Sequence, residues 1–313
     1  MMTHTRTLIT AIIVAPSIAH GALAVDLQGL IDAAKPQSVV VVLAGVYDEP
    51  IVIRKALPLR GQDRAKCRIE VTADESAIFI QSKQRVTIDS LTIRWQLATS
   101  GPKKRVVAAL VARDTPLTLQ DCHLEALGNF KRSPSALTAA GFFQVAVRRC
   151  RFDGHEFAVC IADGSEGLMR DCVVLDPGHC GITVFAGSKL TILKNIVARS
   201  GFHGIRSTGG TLIAKDNLII NNDNRGFYLG NKSAHGLIRN NVILGNAMGI
   251  GAFARTDVKV ANNLILDSTF AGIGTRYSCR LSIQNNVIAG NQRGIILLGE
   301  SGHDPASVQI NSF

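Results

Sequence analysis

Four short polar clusters carry the residue types that could do chemistry. They are Asp153-Gly154-His155-Glu156, Asp176-Pro177-Gly178-His179-Cys180, Ser200-Gly201-Phe202-His203 and Asp223-Asn224-Arg225. Thr183, Arg206 and Tyr228 follow them at short range, with Arg276 further along. Imidazoles, guanidinium groups, carboxylates and a phenol together suit proton abstraction beside a carboxylate. That reaction needs a cation to neutralise the carboxylate, a base of near-neutral pKa and an acid for the leaving oxygen. Arg206 or Arg225 could neutralise, His179 or His203 could take the proton, and Tyr228 could supply one; Asp176, His155, Arg225 and Arg276 are the candidate substrate contacts. Glycoside hydrolysis is the rival chemistry and needs two carboxyl groups about 5–9.5 Å apart, for which Asp153 or Glu156 with Asp176 would serve. His155, His179 and His203 could also ligate a metal, but no single element carries coordinating spacing, so neither metal nor cofactor is expected.

These clusters need elements that bring them together, and the chain supplies a repeat. One phrase recurs as Val-Thr-Ile-Asp-Ser-Leu (86–91), Leu-Thr-Leu-Gln-Asp-Cys (117–122), Leu-Thr-Ile-Leu-Lys-Asn (190–195), Val-Lys-Val-Ala-Asn-Asn (258–263) and Leu-Ser-Ile-Gln-Asn-Asn (281–286). Its sixth positions are Leu91, Cys122, Cys150, Cys172, Asn195, Asn217, Asn241, Asn263, Asn286 and Phe313. A second anchor follows each later copy at Gly181, Gly204, Gly226, Gly249, Gly272 and Gly294. Short β-branched runs divided by Gly, Asn and Asp fit three strands and three turns per unit. That is one coil of a parallel β-helix, with strands about 4.8 Å apart along the axis. The sixth position becomes an inward ladder in which stacked Asn amides satisfy one another. The four polar clusters then fall in successive coils and form one lateral patch, with Thr183, Arg206, Tyr228 and Arg276 pointing outward beside it.

The Asn ladder and the Asn-Asn-x-Ile phrases resemble the right-handed parallel β-helix, or pectin-lyase-like, superfamily. The resemblance implies an all-β solenoid of about 22–24-residue coils with an internal Asn/Cys ladder. Leu27 to Ala34 is similar to its short capping helix, and residues 41–53 to its first coil. Residues 25–60 would then be cap and first coil, and 86–313 the repeats of a single domain spanning 25–313. Active sites in this superfamily are generally built on one strand face near mid-helix. Asp176-Pro177-Gly178-His179 resembles the Asp-Pro-His-Asp motif of mannuronan epimerases, departing by Gly178 and by Cys180 where the acid would stand. The phrases of polygalacturonases and the acidic calcium cluster of pectate lyases are absent.

Residues 1–24 read as a secretory signal peptide: Arg6, an apolar stretch from Leu8 to Ala19, and Ala22-Leu23-Ala24 as a cleavage site. The apolar run is too short for a bilayer span, so the expected location is periplasmic or secreted, with no membrane span in the mature protein. Seven cysteines without a CxxC spacing read as buried packing thiols, three of them in the ladder. A disulfide between neighbouring coils is the alternative. The 46% hydrophobic content excludes disorder, and the net charge of +10 favours an anionic partner. Nucleic acid is disfavoured by export and by 5% aromatic residues. Two long inserts, Trp95 to Pro116 and Leu124 to Ser135, contain Lys103, Lys104, Arg105, Lys131 and Arg132. The expectation is a protein that binds an acidic, uronate-containing polysaccharide, acting as a lyase or C5-epimerase. The alternative is a non-catalytic carbohydrate-binding or cell-envelope assembly module.

Overall fold

The computed structural model describes residues 26–99, 107–129, 131, 133–231, 234–276, 279–298 and 307–311. The expected signal peptide, the basic run Lys103 to Arg105, Arg132 and the ladder position Phe313 lie outside these residues. The chain winds as a parallel β-helix in which each coil contributes one strand to each of three sheets. Among the described residues the first sheet has 12 strands, from Val40–Val42 to Ser307–Asn311. The second and third have 11 each, running from Gly45–Tyr47 to Val287–Ala289 and from Ile51–Ile53 to Ile295–Leu298. Strands pair in parallel with their neighbours one coil away, so identical positions stack, as in Leu190 on Leu212 and Ile192 on Ala214.

The interior polar ladder sets this register. Asn195 Nδ2 donates to Asn217 Oδ1 at 3.0 Å, Asn217 to Asn241 at 2.9 Å, Asn241 to Asn263 at 2.9 Å and Asn263 to Asn286 at 2.9 Å. Each receiving oxygen also accepts the backbone N–H of the Asn one coil earlier, as Asn241 Oδ1 does from Asn217 N at 2.9 Å. The remaining amide hydrogen reaches a main-chain carbonyl, such as Ala214 O for Asn241. Cys172 N joins the ladder through Asn195 Oδ1 at 3.0 Å, and Cys150 N lies 3.4 Å from Cys172 Sγ. All seven cysteines are buried free thiols. The residue before each ladder position turns the corner with a left-handed φ: Asp121, Arg149, Asp171, Lys194, Asp216, Asn240, Asn262 and Asn285 lie between 50° and 57°. Asn and Asp tolerate that conformation best, which is why the repeats read Asp-Cys and Asn-Asn.

A second ladder, not singled out by the sequence phrases, stands five residues after the first. Ser200 N donates to Asn222 Oδ1 at 3.0 Å, Asn222 Nδ2 to Asn246 Oδ1 at 2.8 Å, and Ser268 N to Asn291 Oδ1 at 2.8 Å. It explains the Gly anchors. A Cβ on Gly226 would sit 2.7 Å from Gly249 O and 3.2 Å from Asn246 Nδ2, so only glycine lets the coils close over these amides. The cap is the helix Leu27–Ala33, whose N-terminal Asp26 accepts from Gly29 N at 2.7 Å and which buries Leu27 and Ile31 over the open end. Gln28 pairs both ways with the backbone of Val52, at 2.7 and 3.1 Å, and so blocks a free strand edge.

One coil is added to the expected set and one expectation is corrected. Residues 58–80 form a complete coil, with strands Pro58–Gly61, Cys67–Thr72 and Ile78–Ile80, although no repeat phrase marks it. Both long inserts are shorter than expected because Thr92–Gln96, Leu110–Arg113 and His123–Ala126 are strands. Trp95, placed in a loop by the sequence, is fully buried and donates Nε1–H to Glu75 O at 2.9 Å.

The ladder carries a stability prediction. Asn241→Leu should destabilise by about 1–3 kcal/mol, because the amides of Asn217 and Asn263 lose buried partners. Exposed Lys259→Ala should change stability by less than about 0.5 kcal/mol. Denaturant titration of both variants checks this; equal shifts would contradict the ladder's role.

Candidate functional site

The outer face of the third sheet gathers most of the candidate residues. Register stacks Cys160 on Thr183, Thr183 on Arg206 and Arg206 on Tyr228, one coil per step. A neighbouring column holds Phe157 and Cys180, with Arg225 and Met248 further along. His179 and His203 stand just before the Gly anchors, at the corner where the chain enters this sheet. Their rings belong to a continuous row. Phe157 and His179 lie 5.0 Å apart, His179 and Phe202 4.8 Å, Phe202 and His203 3.9 Å, His203 and Tyr228 4.8 Å, and Tyr228 and Phe253 5.6 Å. His203 and Tyr228 are parallel within 7°. The Arg225 guanidinium covers the end of the row, 4.8 Å from the Phe253 ring and 5.5 Å from Tyr228.

Burial divides the two imidazoles. His203 is 2% exposed, and burial, reinforced by Arg225, Arg206 and His179, pushes its pKa down to about 3. It stays neutral and holds the Tyr228 ring rather than meeting solvent. His179 is partly exposed, and burial together with the nearby Arg206 charge lowers its pKa from the ordinary value. Its Nδ1 lies 3.0 Å from Cys180 Sγ. When Nδ1 carries the proton toward that sulfur, Nε2 keeps a free lone pair. Burial pushes the Cys160 thiol up to about 12 and raises Cys180, so both remain protonated. Arg206 and Arg225 make no ion pair among the described residues; Arg225 Nη1 donates to Asn224 Oδ1 at 2.9 Å.

An open cleft of about 830 Å³ runs along the same face toward the N-terminal coils. Thr138, Cys160, Ala162 and Thr208 form its floor, Phe157 and Phe185 flank it, and Leu97, Val107 and Lys131 bound it from the two inserts. These three residues therefore border the face that carries the ring row.

Several expected members are elsewhere. His155 is turned inward and 1% exposed, with Nδ1 3.1 Å from Asp153 O. It stands five residues after Cys150, the place Asn222 holds after Asn217, so it occupies the second ladder and cannot join the patch. Asp176 lies at the corner between the second and third sheets, φ 54°, bound at both oxygens by Arg199 at 2.6 and 2.7 Å. Thr183 lies in the outward column but is completely covered. Arg276 sits two coils beyond Tyr228, in the column of Phe253. Asp153 belongs to the second sheet, where His123 at 2.6 Å and Arg151 at 2.5 Å bind it; their bonds outweigh its burial and lower its pKa. The cleft carboxylates Glu156 and Asp163 flank the strand Phe157–Ala162, about 20 Å apart at strand rise, far beyond a hydrolase pair. Among the described residues no three His, Cys, Asp or Glu side chains gather as a metal site. Sequence reasoning missed Phe157 and Phe202 as partners of the imidazoles and Phe253 as the partner of Tyr228. Phe253 was available as the residue four beyond Gly249, an outward place by alternation.

The sequence matches the family described as right handed beta helix region over residues 76–243 and 203–312. No curated protein matches it. Solved structures share the fold at low identity. The exopolygalacturonase of Yersinia enterocolitica, family 28, is 11% identical with a TM-score of 0.63, covering 91% of this chain and 74% of that one. The A-module of a mannuronan C-5 epimerase from Azotobacter vinelandii is 13% identical at 0.57, covering 91% and 94%. The catalytic unit of an α-1,3-glucanase from Streptomyces thermodiastaticus is 12% identical at 0.58, and this chain covers 64% of its length.

The buried His155 makes stability pH-dependent. Burial pushes its pKa down to about 3, against about 6.5 unfolded, so the unfolded state binds the extra proton between those values. Stability from this group is complete above about pH 6.5 and is lost as pH falls toward 3. His155→Asn, which suits the ladder position, should flatten the fall of the melting temperature between pH 6 and 4. An unchanged slope would show that His155 is not buried neutral.

Proposed function

We propose that this chain, which belongs to the right handed beta helix region family, binds an acidic polysaccharide along the outer face of its third sheet and acts on it as a lyase or C5-epimerase. The observation that carries this reading is the row of Phe157, His179, Phe202 and Tyr228, backed by the enclosed His203 and closed by Phe253, beside two guanidinium groups that have no ion-pair partner among the described residues. Rings offer flat apolar faces to sugars, and an unpaired guanidinium matches a carboxylate bidentately. The glycan-acting fold neighbours are consistent with it. Export to the periplasm or beyond belongs to the same reading and rests on residues 1–24. Among the described residues no helix is long and apolar enough to cross a membrane.

Arg206 takes the uronate carboxylate and stabilises the charge that develops on it as the C5 proton leaves. His179 Nε2 takes that proton. Its lowered pKa keeps it in the base form at neutral pH, at the cost of some basicity. The Tyr228 hydroxyl gives a proton either to the departing glycosidic oxygen, leaving an unsaturated sugar, or to the opposite face of C5, inverting it. His203, a catalytic candidate from sequence, becomes a positioning residue because its ring is enclosed against Tyr228. The same enclosure favours a second reading, a glycan-binding or envelope-assembly module without turnover.

Incubation with alginate and polygalacturonate separates these readings. Unsaturated ends read by absorbance mark a lyase, and deuterium uptake at C5 marks an epimerase. His179→Ala should lower turnover by at least about 100-fold while weakening glycan affinity far less. Arg206→Ala should weaken both. Turnover should not fall on the acid side until below the ordinary imidazole range, because the His179 pKa is lowered. Binding without either signal selects the module. Unchanged binding after Arg206→Ala and Arg225→Ala together would remove the site under both readings.

A further inference from the structure

The two directions along the third sheet differ. Toward the N-terminus the outward columns are small, with Thr138, Cys160 and Thr183 in one and Ala140 and Ala162 in the next, and they leave the open cleft. Beyond Tyr228 the first column holds glycines, Gly251 and Gly274, while the second has Gly230 in the coil of Tyr228 and then Phe253 and Arg276. That space is filled by neighbours lying flat on the sheet. A Cβ on Gly251 would meet the Phe253 ring at 2.5 Å and Arg225 Cδ at 2.8 Å, and one on Gly274 would meet Met248 Cε at 2.7 Å. Met248, Phe253 and Ala271 form an apolar cluster of their own, apart from the coil interior, with Tyr228 and Ile296 packed against it. Met248 is 4% and Phe253 9% exposed although both lie on the outer face, so this layer is closed.

Charge follows the same division. Among the described residues lining the cleft, Arg113 and Lys131 are matched in number by Glu156 and Asp163. Arg206 and Arg225, which have no acidic partner among the described residues, sit at the closed end.

From these two asymmetries we infer that the site is one-sided. A glycan enters from the N-terminal coils and ends against the Met248–Phe253–Arg225 layer, so its terminal unit, and not an internal one, places its carboxylate on Arg206. The inference rests on the glycan reading above and adds to it the recognition of a chain end. The uronate requirement then falls on the terminal sugar, while the balanced cleft, lined by Thr138, Thr208 and Asn231 hydrogen-bonding groups, accepts the following sugars with little demand on their charge.

The test uses the full chain and uronate hexasaccharides prepared from alginate and from polygalacturonate, each biotinylated at the reducing end or at the non-reducing end and immobilised on streptavidin. Free hexasaccharide in solution is titrated as the reference. One orientation should bind at least about tenfold more tightly than the other, and the favoured one should match the free hexasaccharide. Equal binding in both orientations, with the free sugar also bound, overturns the one-sided site and leaves the glycan reading intact. No binding of the free sugar of either type overturns the reading on which the inference rests, and the inference with it. As a second measurement, Phe253→Ala combined with Met248→Ala should raise affinity for the disfavoured orientation at least about threefold, and near-native melting shows that the solenoid is retained. A folded double variant with unchanged orientation preference would contradict the assigned role of the layer.

Discussion

A buried amide can remain inside an apolar coil only if every hydrogen it carries is received, and the parallel β-helix meets this by placing the next Asn about 4.8 Å away. Each oxygen of the ladder takes two donors from the coil before it, and each nitrogen reaches the coil after it and a carbonyl. A shift of one coil by a single residue would leave these groups unpaired, at about 1–3 kcal/mol each. The ladder therefore fixes register. Once register is fixed, all outward columns are fixed as well, and with them the stacking of Thr183, Arg206 and Tyr228.

The left-handed corners and the glycine column follow from the same constraint. A sharp corner is needed immediately before each ladder residue, and Asp, Asn and even Arg149 and Lys194 hold φ near 50–57° there. The second ladder needs the coils to approach within reach of a short amide, which excludes a Cβ at Gly204 and Gly226. Spared of these demands, the outer face of the third sheet is free to carry large rings and guanidinium groups that have no ion-pair partner among the described residues. The result is a rigid platform that displays a few outward side chains at fixed spacing.

Much of this was legible in the chain. The Asn positions repeat closely enough to reveal the coil, the ladder and the outward places of Arg206 and Tyr228. The coil at 58–80 was hidden because Cys67 takes the place opposite Leu91 after a longer turn, with no amide there to mark the phase. His155 was misplaced because a polar residue in a turn cluster looks like surface, whereas its distance from Cys150 assigns it to the interior. The ring row was hidden because its members alternate between corner residues and strand residues, and nothing in local sequence brings Phe202, His203 and Tyr228 into line. The pairing of Asp176 with Arg199 depends on two corner residues stacking across coils.

The central claim is that the outer face of the third sheet is where glycan binds, with Arg206 as its anionic anchor. A crystal structure of the chain with a uronate hexasaccharide tests it most directly. The account predicts sugar density along this face, a carboxylate within about 3 Å of the Arg206 guanidinium and a ring over the row formed by His179 and Phe202. Density confined to the first or second sheet, with the third-sheet face bare, would contradict it.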